Sequence, residues 1–219
     1  MPSYRCLILD LDGTVVDSHA YTFAAFRHAC APFRAAPSDE EIYAAFGPWE
    51  RVILGGLLRP AQVEAAYARL QRYYAAHAAA LAVHPQMRPL LRDCGTADLG
   101  LGLFTGRGSD STRLILRSLD LAWAFAAVVA GDDLWRPKPA GDGVLQLLSA
   151  LGRTAAEAIV VGDSKLDLEA ARAAGTSAAL AGWFPWGGRE LPRGAPLLRD
   201  PDALRPLLGL GPAAGEPSG

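Results

Sequence analysis

What most constrains this chain is an alternation that runs through its second half. Short apolar runs, each stopped by a polar or glycine-containing turn, take turns with segments of helical period. Residues 99–104, 126–130, 158–161 and 177–180 read as strands. Residues 87–94, 109–119, 141–151 and 165–174 read as helices, the last closed by Gly175. Strands separated by helix-length connections pair in parallel, because a parallel neighbour needs a crossover. A parallel sheet is covered on both faces, so its strands are apolar throughout rather than alternating. An earlier run, residues 4–9, has the same character and ends in Asp10-Leu-Asp-Gly-Thr14.

Between that first strand and the alternating region lies a stretch of different pattern. Residues 18–33 place Phe23, Phe26 and Cys30 at helical spacing, and Ser38 with Glu41 has the spacing of a capping box. Gly47-Pro48 ends that second helix. A loop from Gly55-Gly56 to Arg59-Pro60 then precedes a long alanine-rich helix to about residue 81. Residues 18–83 therefore read as all-helical. The expected organisation is a Rossmann-like α/β core from residues 1–16 and 85–208, with a helical unit inserted over 17–84. The tail 209–219, rich in Gly, Pro and Ala, is expected to be disordered.

Composition narrows the function. The net charge is −2 and arginines are scattered singly, which is not the footprint of a nucleic-acid binder. No apolar run is long enough for a membrane span, and no signal peptide is visible. Three cysteines without CxxC spacing suggest neither a disulfide framework nor a zinc site, and fit a reducing cytoplasm. A small-molecule partner is expected, with the chain a monomer or homodimer.

Four groups of residues fall at strand ends, the edge where open α/β sheets bind ligands. Asp10 and Asp12 are alternate residues, so both carboxylates can face one pocket. One can act as nucleophile and the other as acid, and together they offer oxygens to a hard cation. Thr105-Gly106 offers a hydroxyl and backbone amides to an anion. Lys138, one of two lysines in the chain, offers a point charge for phosphate. Asp163 and Asp167, four apart at a helix start, add carboxylates for a metal and its surroundings. Each has a plainer explanation as a cap or surface residue; the coincidence of all four points to phosphoryl transfer. These residues alone do not choose between Asp10 and Asp12 as nucleophile.

The motifs Asp10-Leu-Asp-Gly-Thr-Val-Val-Asp17, Thr105-Gly106, Lys138-Pro139 and Val161-Gly-Asp-Ser-Lys-Leu-Asp167 resemble, in order and spacing, those of the haloacid dehalogenase superfamily. The residues Phe125-Ala-Ala-Val-Val-Ala-Gly-Asp132 and the loop 182–187 are similar to its phosphoglycolate-phosphatase-like branch. The resemblance implies a small helical cap and a magnesium-dependent phosphatase acting on a small phosphate monoester, phosphoglycolate-like or a sugar phosphate, through an aspartyl-phosphate. It implies Asp10 as nucleophile, Asp12 as acid and base, and Thr105, Gly106 and Lys138 as phosphate holders. Mg²⁺ would be held by Asp10, the Asp12 carbonyl and Asp163, with Asp167 behind, orienting Lys138 or metal-bound water. Trp49 and Arg51, in the loop after Gly47, are expected near the substrate.

Three neighbouring chemistries are weighed on residues. Dehalogenating members lack an acid at the position of Asp12. Phosphonate-cleaving members need a cap lysine, and no lysine precedes Lys138. Sugar-phosphate mutases commonly place a His where this chain has Thr22, and an Arg where it has Glu50. A non-catalytic binding role would be marked by loss of a key acid, and none is lost. The four histidines show no ligand spacing and read as packing or surface residues.

Overall fold

The computed structural model describes residues 4–186 and 195–213. The strands are β1 (Cys6–Leu9), β2 (Val16–Asp17), β3 (Ala82–Val83), β4 (Gly100–Phe104), β5 (Ala127–Val129), β6 (Ala158–Gly162), β7 (Ser177–Ala181) and β8 (Leu197–Leu198). The α-helices are α1 (His19–Cys30), α2 (Asp39–Ala44), α3 (Glu50–Leu57), α4 (Pro60–His77), α5 (Met87–Thr96), α6 (Ser109–Ser118), α7 (Asp142–Leu151) and α8 (Lys165–Ala174).

Six strands form one sheet in the order β5-β4-β1-β6-β7-β8, and every pairing in it is parallel. This is the Rossmann-like architecture read from the sequence. The order reverses at β1, which pairs with β4 on one side and β6 on the other. Side chains of successive strand residues alternate between faces. Leu7 and Leu9 enter one hydrophobic cluster, with Leu101, Leu103, Ile159 and Val161. Cys6 and Ile8 enter the other, with Phe104, Val129 and Val160. Burial on both faces is why these runs carry no polar alternation.

Helices α1 to α4 occupy the segment between β2 and β3. Their core residues Phe23, Phe26, Leu54, Leu70 and Tyr74 are continuous with the first cluster of the sheet. The segment is not helical to its ends. Val16–Asp17 and Ala82–Val83 pair antiparallel, so the chain enters and leaves through a two-residue ribbon. Two residues per strand are too few for any periodicity to register.

Three further local expectations are corrected. Gly55 and Gly56 lie inside α3 rather than in a loop. Two helical glycines cost about 1 kcal/mol each, and the burial of Ile53 and Leu54 offsets it. Only half of the Ser38–Glu41 box forms: Ser38 Oγ accepts from Glu41 N at 3.1 Å, but the Glu41 carboxylate turns to Arg34 at 2.7 and 3.3 Å. Strand β8 was not anticipated, and β7 is therefore not the last strand of the sheet. Of the tail, residues up to 213 are described. Leu210 N donates to the Arg205 carbonyl at 2.9 Å, and Arg205 Nη1 donates to the Gly211 carbonyl at 3.2 Å. Residues 214–219 lie outside the described residues.

Candidate active site

Four adjacent strands, β5, β4, β1 and β6, deliver the four sequence motifs to one edge of the sheet. Asp10 directly follows β1, Thr105 follows β4, and Asp163 follows β6. Lys138 comes from the loop between β5 and α7. The site sits where the strand order reverses, the point at which the connections of an open α/β sheet diverge and leave a crevice.

Beyond Asp10 the chain makes a tight turn. The amides of Thr14, Val15 and Val16 all point to the Leu11 carbonyl, and Gly13 N donates to Val16 O at 2.8 Å. Gly13 has φ +71°, a left-handed backbone that favours glycine. A Cβ on Gly13 would also overlap the Asp163 carboxylate, so the turn must be bare for β1 and β6 to bring their acids together.

Lys138 Nζ donates to Asp10 Oδ1 at 2.8 Å and to Asp167 Oδ1 at 2.6 Å. All three residues are buried. Asp167 also accepts from Ser164 N and Oγ, at 3.2 and 2.8 Å, so it caps α8 and orients the lysine together. Burial pushes the Asp10 carboxyl up to about 7 against the opposing pull of Lys138. Burial, then Asp10 and Asp167, push Asp163 well above the usual carboxylate range. Burial alone would lower Lys138, but its two carboxylates hold its pKa above the usual value.

Carboxylate oxygens of Asp10, Asp163 and Asp167 lie within 4.8 Å of one another. Three acids this close, with one lysine among them, leave negative charge unmatched, which adds to burial in raising Asp10 and Asp163. All-oxygen donors of this kind suit a hard divalent cation. The residues present therefore fit such an ion.

Asp12 is held differently. Arg107 Nε donates to Asp12 Oδ2 at 2.8 Å and Nη2 to Oδ1 at 2.7 Å, and Ser18 Oγ donates to the same carboxylate. Burial works to raise its pKa, but Arg107 outweighs that and holds Asp12 below the usual range. The two acids of the first motif are thus pushed in opposite directions, the arrangement that separates roles within a carboxylate pair.

These groups open into a cavity of about 330 Å³ between the sheet edge and helices α1 to α3. Asp10, Asp12, Gly106, Lys138, Asp163 and Asp167 line it. Thr105 does not. Its hydroxyl is fully buried and accepts from Arg107 N at 3.1 Å. Trp49 and Arg51 are not among the lining residues either. Trp49 packs edge-on against Tyr67, and the Arg51 guanidinium lies over the Trp49 and Tyr67 rings and pairs with Glu64 at 3.3 Å. An arginine with two ring faces and a carboxylate nearby settles on the outside of its helix.

Sequence reasoning passed over three residues that reach the site. His19, buried, lies 3.6 Å from Asp163 and stacks on Trp186 at 5.4 Å between centroids. Arg107 bridges Asp12 and Thr22. Glu50, the first residue of α3, reaches across to the start of α6. Arg107 stood beside Thr105-Gly106 but looked like any of the scattered arginines. Glu50 stood out only as the place where a mutase would carry an arginine, and His19 had no spacing to mark it; the partners of both are far away in the chain.

The chain matches the haloacid dehalogenase-like hydrolase family over residues 7–181, most of its length. It is a member of that family. Among curated proteins, this hydrolase is 32% identical over 191 residues to the phosphoglycolate phosphatase of Rhodospirillum rubrum, covering 78% of this chain and 76% of that one. It is 31% identical over 182 residues to the phosphoglycolate phosphatase of Synechococcus elongatus, covering 82% and 84%. Among solved structures it is similar to CbbY from Rhodobacter sphaeroides in complex with phosphate, with a TM-score of 0.80, 20% identity, and coverage of 90% and 94%. The last likeness concerns the fold.

Proposed function

We propose that this hydrolase is a Mg²⁺-dependent phosphatase that cleaves a small phosphate monoester through an aspartyl-phosphate on Asp10. The observation that carries the reading is the pairing of Lys138 with Asp10 inside a cluster of three acids. A phosphoryl group brings dispersed negative charge, and the site must neutralise it while holding a nucleophile in line. Phosphatase relatives of similar length support the same class.

Asp10 attacks phosphorus, and the ester oxygen leaves with a proton from Asp12. Asp12 then takes a proton from water, which attacks phosphorus and frees Asp10. Lys138 and the backbone at Gly106 hold phosphoryl oxygens, and Asp167 keeps Lys138 aimed. In the state described Asp12 is ionised and engaged by Arg107, the form that accepts a proton. The donor step requires Asp12 to take up a proton and turn from Arg107 to the substrate. Asp10, the Asp12 carbonyl and Asp163 would hold Mg²⁺, with Asp167 behind them. The ion supplies charge against the phosphoryl oxygens and lowers the repulsion between the phosphate and Asp10. The helices of the insertion act as a cap that excludes water during the first step.

Phosphate release from a panel of small monoesters, with Mg²⁺ and with EDTA, tests this for the natural chain and Asp10→Asn. Turnover that needs both Mg²⁺ and Asp10 is expected. Silence of the natural chain with Mg²⁺ across the panel overturns the reading.

A further inference from the structure

The side of the cavity walled by the insertion has its own chemistry. Its walls include Phe26, Tyr43, Phe46, Ile53 and Tyr74. Its buried cation is Arg107, which is 5% exposed, and each nitrogen of the guanidinium already has an acceptor. Nε and Nη2 hold Asp12, Nη2 also holds Thr22 Oγ1 at 2.5 Å, and Nη1 is 3.5 Å from Glu50 Oε1.

Glu50 is 3% exposed and comes from the insertion, yet it serves the sheet domain's helix α6. Its carboxylate accepts from Gly108 N at 2.8 Å and from Ser111 Oγ at 2.5 Å. The next amide of α6, Ser109 N, is taken by Asp132 at 2.7 Å. A helix start with a neighbouring guanidinium is the natural place for an anionic group of a ligand. Here that place is filled from within.

We infer that Glu50 is a specificity-determining residue, a built-in counter-ion that turns the leaving-group pocket against a second anion. The substrates are then monoesters of uncharged alcohols, such as polyol, sugar or aryl phosphates, rather than phosphorylated carboxylic acids. Asp12 alone matches the charge of Arg107, and Glu50 adds a further acid. Burial raises the proton affinity of Glu50, against Arg107 and Ser111. With or without that proton, neither buried cation that lines the cavity among the described residues is left unmatched for a substrate carboxylate. Lys138 is matched by Asp10 and Asp167, and Lys165 stands exposed at the rim. A carboxylate in the pocket would lose water and meet Glu50 and Asp12, and bringing like charges together at a binding surface is unfavourable.

This inference rests on the phosphatase reading, and the experiment separates the two. Glycerol 3-phosphate and 3-phosphoglycerate share a skeleton and differ in one end, a hydroxymethyl group against a carboxylate. Their kcat/KM values are measured with Mg²⁺ for the natural chain and for Glu50→Gln, with p-nitrophenyl phosphate as a reference for the phosphoryl site. The natural chain should favour the uncharged member by roughly tenfold or more, and Glu50→Gln should shrink that ratio by about tenfold. A merely structural Glu50 would lower both members together and leave the ratio alone. A natural chain that favours 3-phosphoglycerate, for instance by anchoring it on Lys165, overturns the inference while the phosphatase reading stands. An unchanged ratio in Glu50→Gln also overturns it. Should that variant fail to fold, the ratio of the natural chain decides. Silence on all three compounds removes the phosphatase reading and the inference with it.

Discussion

Lys138 stands 2.8 Å from Asp10 and shares its single charge with Asp167 on its other side. The three are buried together, so none can be removed without exposing the others to an unbalanced field. Lys138→Met should lower stability by roughly 3–5 kcal/mol in EDTA, the scale for breaking a buried pair from one side. Mg²⁺ should restore part of it, and phosphatase activity should fall by about a hundredfold or more. Urea melts with and without Mg²⁺, beside steady-state kinetics, check all three.

The raised pKa of Asp10 makes stability depend on pH in a definite direction. Its ordinary value is 3.8 and burial lifts it to about 7, so between those values the folded state holds a proton that the unfolded state has lost. Stability must then fall as pH rises through that window, and level off above it. In EDTA, Asp10→Asn should gain on the natural chain from pH 4 to pH 7 by an amount on the order of a few kcal/mol. Chemical denaturation of both at several pH values reads the difference. A constant gap would refute it.

Arg107→Lys keeps the charge but not the fork that spans Asp12, Thr22 and Glu50. A lysine is a point charge and cannot reproduce bidentate contacts. The expected result is a loss of about tenfold or more in kcat with a smaller change in KM, because Asp12 loses its orientation rather than the substrate its seat.

Gly13→Ala should fold but fail to respond to metal. Its Cβ would overlap the Asp163 carboxylate, and φ +71° strains any L side chain. The rise in melting temperature on adding Mg²⁺, expected for the natural chain from binding to the folded state, should vanish in this variant. A melting shift equal to that of the natural chain would count against Asp163 as a ligand.

The thiols offer a probe that leaves the site untouched. Cys6 and Cys94 are fully buried, and burial pushes their pKa values up to about 11 and about 12. The thiolate is the reactive form, so a disulfide reagent at pH 8 should label neither until the protein is unfolded.

The sheet was readable from the sequence because its strands are buried on both faces and punctuated by Asp10, Thr105 and Asp163, which nothing apolar can imitate. Their convergence followed from strand order alone. What escaped was everything that depends on contacts across the chain. Glu50 and Arg107 are 57 positions apart, and no local pattern announces that pairing. Arg51 shows another limit of local reading: its place beside a cap loop suggested a substrate contact, while the structure lays its guanidinium over the rings of Trp49 and Tyr67. The two glycines of α3 misled for a related reason, since tertiary burial overrode their preference for a loop.

The two-residue ribbon of Val16–Asp17 with Ala82–Val83 has a consequence for the history of such a chain. Departure and return share one doorway, so the distance between β1 and α5 is the same whatever lies between. Whole helices can be gained, lost or exchanged beyond that doorway without moving a single strand register in the sheet. The edge that carries Asp10, Lys138 and Asp163 thus belongs to the sheet, whereas the cavity walls at Phe26, Tyr43, Ile53 and Tyr74 belong to what lies beyond the doorway.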